Sequence, residues 1–145
     1  MSGTYSFQDF ELSIAGVGGV VSVTDGAASE GFTFAMNEDK NMMTIGADGS
    51  GTHTLRAGNG GVVTVRLLKT SPANQQLSLM YNAQRAQSVA WGKNVIVGRQ
   101  KASGDTISAT FAAFKKHPDL TFATETSTVE WTFDAVRIDS LLGAY

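Results

Sequence analysis

Apolar and polar residues alternate with period two along most of the chain, the pattern of strands with one buried face. In Asp9-Phe-Glu-Leu-Ser-Ile14, Phe10, Leu12 and Ile14 fall on one face, and Asp9, Glu11 and Ser13 on the other. Gly16-Val-Gly-Gly19 reads as a turn, Val20 to Val23 as a short strand, and Asp25-Gly26 as a second break. Phe32, Phe34 and Met36 share a face of the next strand. A further strand follows at Thr54 to Ala57, and Gly58-Asn-Gly-Gly61 marks another turn. The strand from Val62 to Lys69 then turns Val63, Val65 and Leu67 to one side. Later, Val95-Ile-Val97 is apolar on both faces, and Ile107, Ala109, Phe111 and Ala113 alternate with Thr106, Ser108 and Thr110. Val129, Trp131, Phe133 and Ala135 do the same with Thr128, Glu130, Thr132 and Asp134. Near Val136 the phase slips and Ile138 takes the opposite parity, which predicts a bulge.

One segment departs from period two. Ser71-Pro72 has the residues of a helix start, because proline has no N–H to lose there. Ala73, Leu77, Met80 and Tyr81 recur at spacings of three and four, and Arg85 suits the helix's negative C-terminal end. A helix is expected from Pro72 to Ser88, packed by its narrow stripe on the sheet. The apolar tail Leu141-Leu-Gly-Ala-Tyr145 is expected to dock against protein. Together these elements predict a single mainly β domain over residues 1–145, an antiparallel sandwich or barrel with one flanking helix.

The excursion at 37–53 is long for a compact domain, which marks it as functional or disordered. Met42, Met43 and Ile45 argue against disorder, since methionines make adaptable intermolecular contacts. Asn37, Glu38, Asp39, Lys40, Asn41, Met42, Met43 and Ile45 are therefore expected to touch another protein. The alternative is that Met42 and Met43 fold back onto the domain's own core.

Composition narrows the chemistry. The 145 residues carry no Cys, which removes disulfides and thiolate zinc sites, and a net charge of −2, which is not the basic excess of a DNA binder. Lys115-Lys116-His117 is the one basic cluster and reads as a solvated strand end. No apolar run approaches the roughly 20 residues that cross a bilayer, so no membrane insertion is expected of this chain. The first residues lack the basic and apolar regions of a signal peptide. His53 and His117 have no partner at metal-ligand spacing. Asn37, Asp39 and Asn41 match the start of a calcium loop, but Met42 and Asp48 replace its turn glycine and closing glutamate. Gly46-Ala-Asp-Gly-Ser-Gly51 has its glycines in the wrong order for a dinucleotide site. Neither an enzyme nor a cofactor is expected.

Four segments resemble the PhiTE-type phage tail-tube family: Ala35–His53, Gly61–Pro72, Asn74–Ala83 and Tyr5–Phe10. The resemblance implies a subunit of hexameric rings stacked into a hollow tube, in which strands of neighbouring copies join into one inner barrel. It further implies a surrounding sheath, baseplate and tape-measure partners, and DNA passing through without specific binding. The location it implies is the virion tail, assembled in the host cytoplasm. A wall that ignores phosphate would be acidic or neutral, which makes Asp9, Glu11, Glu130, Thr132 and Asp134 candidates for the bore. The alternatives are a type VI secretion-like ring protein or another tail component, and a monomeric ligand-binding β-barrel.

Overall fold

The computed structural model describes residues 3–23 and 27–144. The predicted break at Asp25-Gly26 lies outside them. Among the described residues, nine strands and one long helix make a curled seven-stranded antiparallel sheet, a half-barrel, with a separate two-stranded hairpin. The strands are β1 (Phe10–Gly16), β2 (Gly19–Val23), β3 (Ala27–Met36), β4 (Asn41–Ile45), β5 (Gly51–Leu55), β6 (Gly61–Leu68), β7 (Asn94–Gln100), β8 (Thr106–Lys116) and β9 (Thr128–Leu141). The main sheet runs β2-β1-β7-β8-β9-β6-β3, so β2 and β3, adjacent in sequence, form its two edges.

Period two places the core. Leu12 and Ile14 of β1, Val63, Val65 and Leu67 of β6, and Val129, Trp131 and Phe133 of β9 are buried on the inner side of the curl. The helix α1 (Ala73–Arg85) closes that side with Ala73, Leu77 and Met80. Ser71 helps to start it, its hydroxyl accepting from the Ala73 N–H at 3.4 Å. The helix stops short of Ser88 because Gln87 is extended (φ −139°), and Ser88–Ala90 forms a separate 3₁₀ turn. The Trp131 indole N–H donates to Asn74 Oδ1 at 3.0 Å, and Tyr81 meets Phe114 edge-on at 5.5 Å, so helix and sheet are keyed as well as packed. This filling occupies the space in which a ligand-binding barrel would hold its ligand.

Helix periodicity on the apolar face alone missed one buried position. Gln84 is fully buried and its amide pairs with that of Asn94, donating to Asn94 Oδ1 at 2.6 Å and accepting from Asn94 Nδ2 at 2.9 Å. Gln84 Nε2 also donates to the Val17 carbonyl at 2.9 Å. The pair ties α1 to β7 and to the β1–β2 turn.

The phase slip at Val136 is present, with Val136 exposed and Ile138 buried. It has a mate that sequence reading placed wrongly. Phe111 was expected on the inner face with Ala109 and Ala113, but it points outward, and Ala112 and Phe114 take the inner positions. The pairing passes from Thr110↔Arg137 to Ala112↔Ala135, so Phe111 and Val136 are each an extra residue, opposite one another. Two extra residues side by side bend the sheet. On one side of the bend β8 carries β7, β1 and β2; on the other β9 carries β6 and β3. Paired bulges thus turn one sheet into two halves around the core.

The apolar tail is fastened by its backbone, the Gly143 N–H donating to the Asp105 carboxylate. Its leucines do not dock within the subunit: Leu141 and Leu142 are exposed.

Candidate functional site

The excursion is a β-hairpin. Asn41–Ile45 pairs with Gly51–Leu55 in the register Met43↔His53, so the short strand expected at Thr54–Ala57 begins earlier and is the hairpin's return arm. Its tip is closed by Gly46 N–H to Ser50 O at 2.7 Å and by Asp48, whose carboxylate accepts from the Ser50 amide at 3.0 Å and hydroxyl at 2.7 Å. Gly49, at φ +89°, takes a conformation that side chains disfavour. The Ser50 hydroxyl, then its amide, hold the Asp48 pKa below the ordinary 3.8.

The root is equally ordered. Lys40 Nζ donates to the carbonyls of Arg56 (3.2 Å) and Gly58 (2.8 Å), and Arg56 faces Glu38 at 3.6 Å. The Asn37 N–H meets Gly60 O at 3.0 Å, and the Ile138 N–H meets Asn59 O at 2.8 Å, which stitches the returning chain to β9 beside Val136. Of the eight predicted contact residues, Asn37, Glu38, Asp39 and Lys40 form this root, and Asn41, Met42, Met43 and Ile45 belong to the outgoing arm.

Every residue of both arms is exposed, including Met42 (50%), Met43 (55%), Ile45 (62%) and Leu55 (82%). The methionines do not fold back onto this subunit's core. Cross-strand pairing sorts the side chains. Asn41, Met43, Ile45, His53 and Leu55 share one face, which carries no formal charge with His neutral, and Met42, Thr44, Thr52 and Thr54 share the other.

The five acidic or hydroxyl candidates do not converge. Glu130, Thr132 and Asp134 stand together on the outer face of β9, opposite Arg66, Thr64 and Val62 of β6. Arg66 lies 3.5 Å from Glu130 and donates to Thr33 Oγ1 at 2.8 Å. Glu11 is on the other half of the sheet, opposite Arg99 and bonded to Lys101 at 2.7 Å. Asp9 is not on a strand face; it ends the 3₁₀ turn Phe7–Asp9 that leads into β1. Among the described residues no group of three or more His, Cys, Asp or Glu side chains is placed to hold a metal.

The geometry is thus a curled sheet with a filled core, one packed helix and a hairpin whose two arms are exposed on both faces. The chain belongs to the bacteriophage PhiTE tail tube protein family, which matches residues 1–143. It is therefore a structural component of a phage tail. No curated protein matches it. Among solved structures it is similar in fold to a chain of the sheath/tube terminator structure of an extracellular contractile injection system in the extended state, with TM-score 0.62, 13% identity, and 97% of this chain and 98% of the other covered. It is similar also to a chain of the sheath–tube complex of that system (TM-score 0.61, 12% identity, 96% and 92% covered). A third is a chain of the anti-feeding prophage tube-terminating cap (TM-score 0.58, 12% identity, 99% and 95% covered).

Proposed function

We propose that this chain is the repeating subunit of the tail tube: copies form hexameric rings, rings stack, and DNA leaves through the bore. The sheath surrounds the tube, baseplate and tape-measure proteins meet it, and assembly takes place in the host cytoplasm. The observation that carries this reading is the hairpin. A lone two-stranded hairpin is at best marginally stable in water, yet this one has an ordered tip and root and exposes both faces. Its apolar side chains gain burial only against another chain, and it bridges to the next subunit or ring.

The free edges β2 and β3 support the same reading, because unpaired edges are liabilities that closure across subunits removes. A head-to-tail contact of this kind need not be self-complementary and repeats without limit. The hydroxyl-rich, ion-paired face of Glu130, Thr132 and Asp134 lines the bore, where the lack of a cationic excess leaves phosphate little to hold. The helix covers the core on the other side and faces outward, toward the sheath.

The test is negative-stain microscopy of the concentrated chain beside a variant in which residues 40–56 are replaced by Gly-Asn-Gly. Long tubes from the parent and a folded monomer from the variant are expected. Tubes from the variant would refute the bridging role. A parent that makes only single rings would be a tube-terminating component instead.

A further inference from the structure

The hairpin needs a receptor, and on the half of the sheet away from Glu130–Asp134, from β2 to the bend at Phe111 and Val136, the outer face contains an apolar row that the core does not explain. Val20 of β2 is opposite Ala15 of β1, and Ala15 is opposite Val95 of β7. Val95 lies between Asn94↔Ala112 and Ile96↔Ala109, which puts it across from the bulge at Phe111. Phe111 in turn faces Val136. Val20 (67%), Phe111 (63%) and Val136 (67%) are largely exposed, Val95 less so. The row crosses five strands without a formal charge and ends beside the hairpin root.

Phe111 also holds φ at +50°, in the left-handed region that is strained for a side chain of this size. A glycine would bend the sheet there at less cost. With Phe111 63% exposed, burial within the subunit offsets little of that strain.

We infer that this row is the seat for the uncharged face of a second copy's hairpin, with Met43, Ile45 and Leu55 lying on Val95, Phe111 and Val136. The inference rests on the proposed tube assembly and names its receptor. Charge supports it, since neither surface carries an Asp, Glu, Lys or Arg side chain to desolvate. So do dimensions: four strand spacings of about 4.8 Å make the row about 19 Å long, and a five-residue arm spans about 14 Å. The seat differs from the hairpin itself, as a head-to-tail contact requires.

The chain contains no Cys, so introduced thiols can be read without background. Tubes grown from a mixture of Met43→Cys and Val95→Cys subunits are oxidised and run on a denaturing gel. A cross-linked dimer is expected, and none from Met43→Cys with Thr132→Cys. A second variant, Phe111→Gly, removes the ring and the strain together. Its melting temperature should be unchanged or higher, and the concentration needed for tube growth at least tenfold higher. Cross-linking of the hairpin elsewhere, or normal growth of Phe111→Gly tubes, overturns the seat and assigns the row to another partner while leaving the tube intact. Absence of tubes from the parent chain overturns both.

Discussion

Replacing Gln84 by Met keeps the side chain's length and removes both amide atoms. Asn94, fully buried, then loses the partner of its Nδ2 and the donor to its Oδ1, and the Val17 carbonyl loses the Gln84 N–H. A buried polar atom without a partner costs about 1–3 kcal/mol. Allowing for the apolar contacts that Met gains, the single substitution should cost about 2–4 kcal/mol. Asn94→Leu alone strands Gln84 in the same way and should cost about as much. Together, Gln84→Met and Asn94→Leu leave only the Val17 carbonyl short of a donor, and the double variant should lose about 0–2 kcal/mol. The coupling between the sites is then about 2 kcal/mol or more, within the range found for residues in direct contact. The assay is urea unfolding of all four proteins at a dilution that keeps them monomeric, followed by tryptophan fluorescence. With m of about 2 kcal/mol/M, each single variant shifts the midpoint by about 1–2 M. If the double variant loses the sum of the two singles, the amide pair is not the link between α1 and β7.

Phe114→Ala should cost about 3–5 kcal/mol, because the ring is buried among Tyr81, Trp131 and Phe133; loss of cooperative thermal unfolding near the parent midpoint checks this. Changing Glu130 and Asp134 to Lys should make tubes retain DNA at low salt and release it above about 0.2 M, read by co-sedimentation; indifference to DNA would remove this face from the bore. The Asp48 carboxylate, held below 3.8 by Ser50, contributes to the hairpin tip above that pH and stops doing so as pH falls through its lowered value. The Ser50 amide resonance should follow that titration, and in Asp48→Asn it should not move between pH 5 and 2.

Residues close in sequence reported most of the fold. Strand β6 and the first half of β9 are legible because a sheet buries alternate side chains, and Val63, Val65, Leu67, Trp131 and Phe133 mark the buried set. The bulge at Val136 shows as a change of parity within ten residues, from Val129, Trp131, Phe133 and Ala135 to Ile138. Its mate at Phe111 did not show, because Ile107, Ala109, Phe111 and Ala113 stay in phase as letters. Only the pairing of β8 with a bulged β9 pushes Phe111 outward and brings Ala112 and Phe114 in. Gln84 was invisible as a core residue because a polar side chain reads as solvent-facing until its partner is known, and Asn94 lies on another element.

The chain by itself determined the class of the fold, the helix stripe, the family and the unusual character of residues 37–53, since each depends on local spacing or residue type. Tertiary structure decided that the methionines stand in solvent on an ordered hairpin. It also decided that Glu11 and Glu130 occupy different halves of the sheet, and that an apolar row crosses five strands to the hairpin root. Those facts depend on which strands become neighbours. Strand order costs loop entropy and is repaid by contacts between residues far apart in sequence, so no local pattern encodes it.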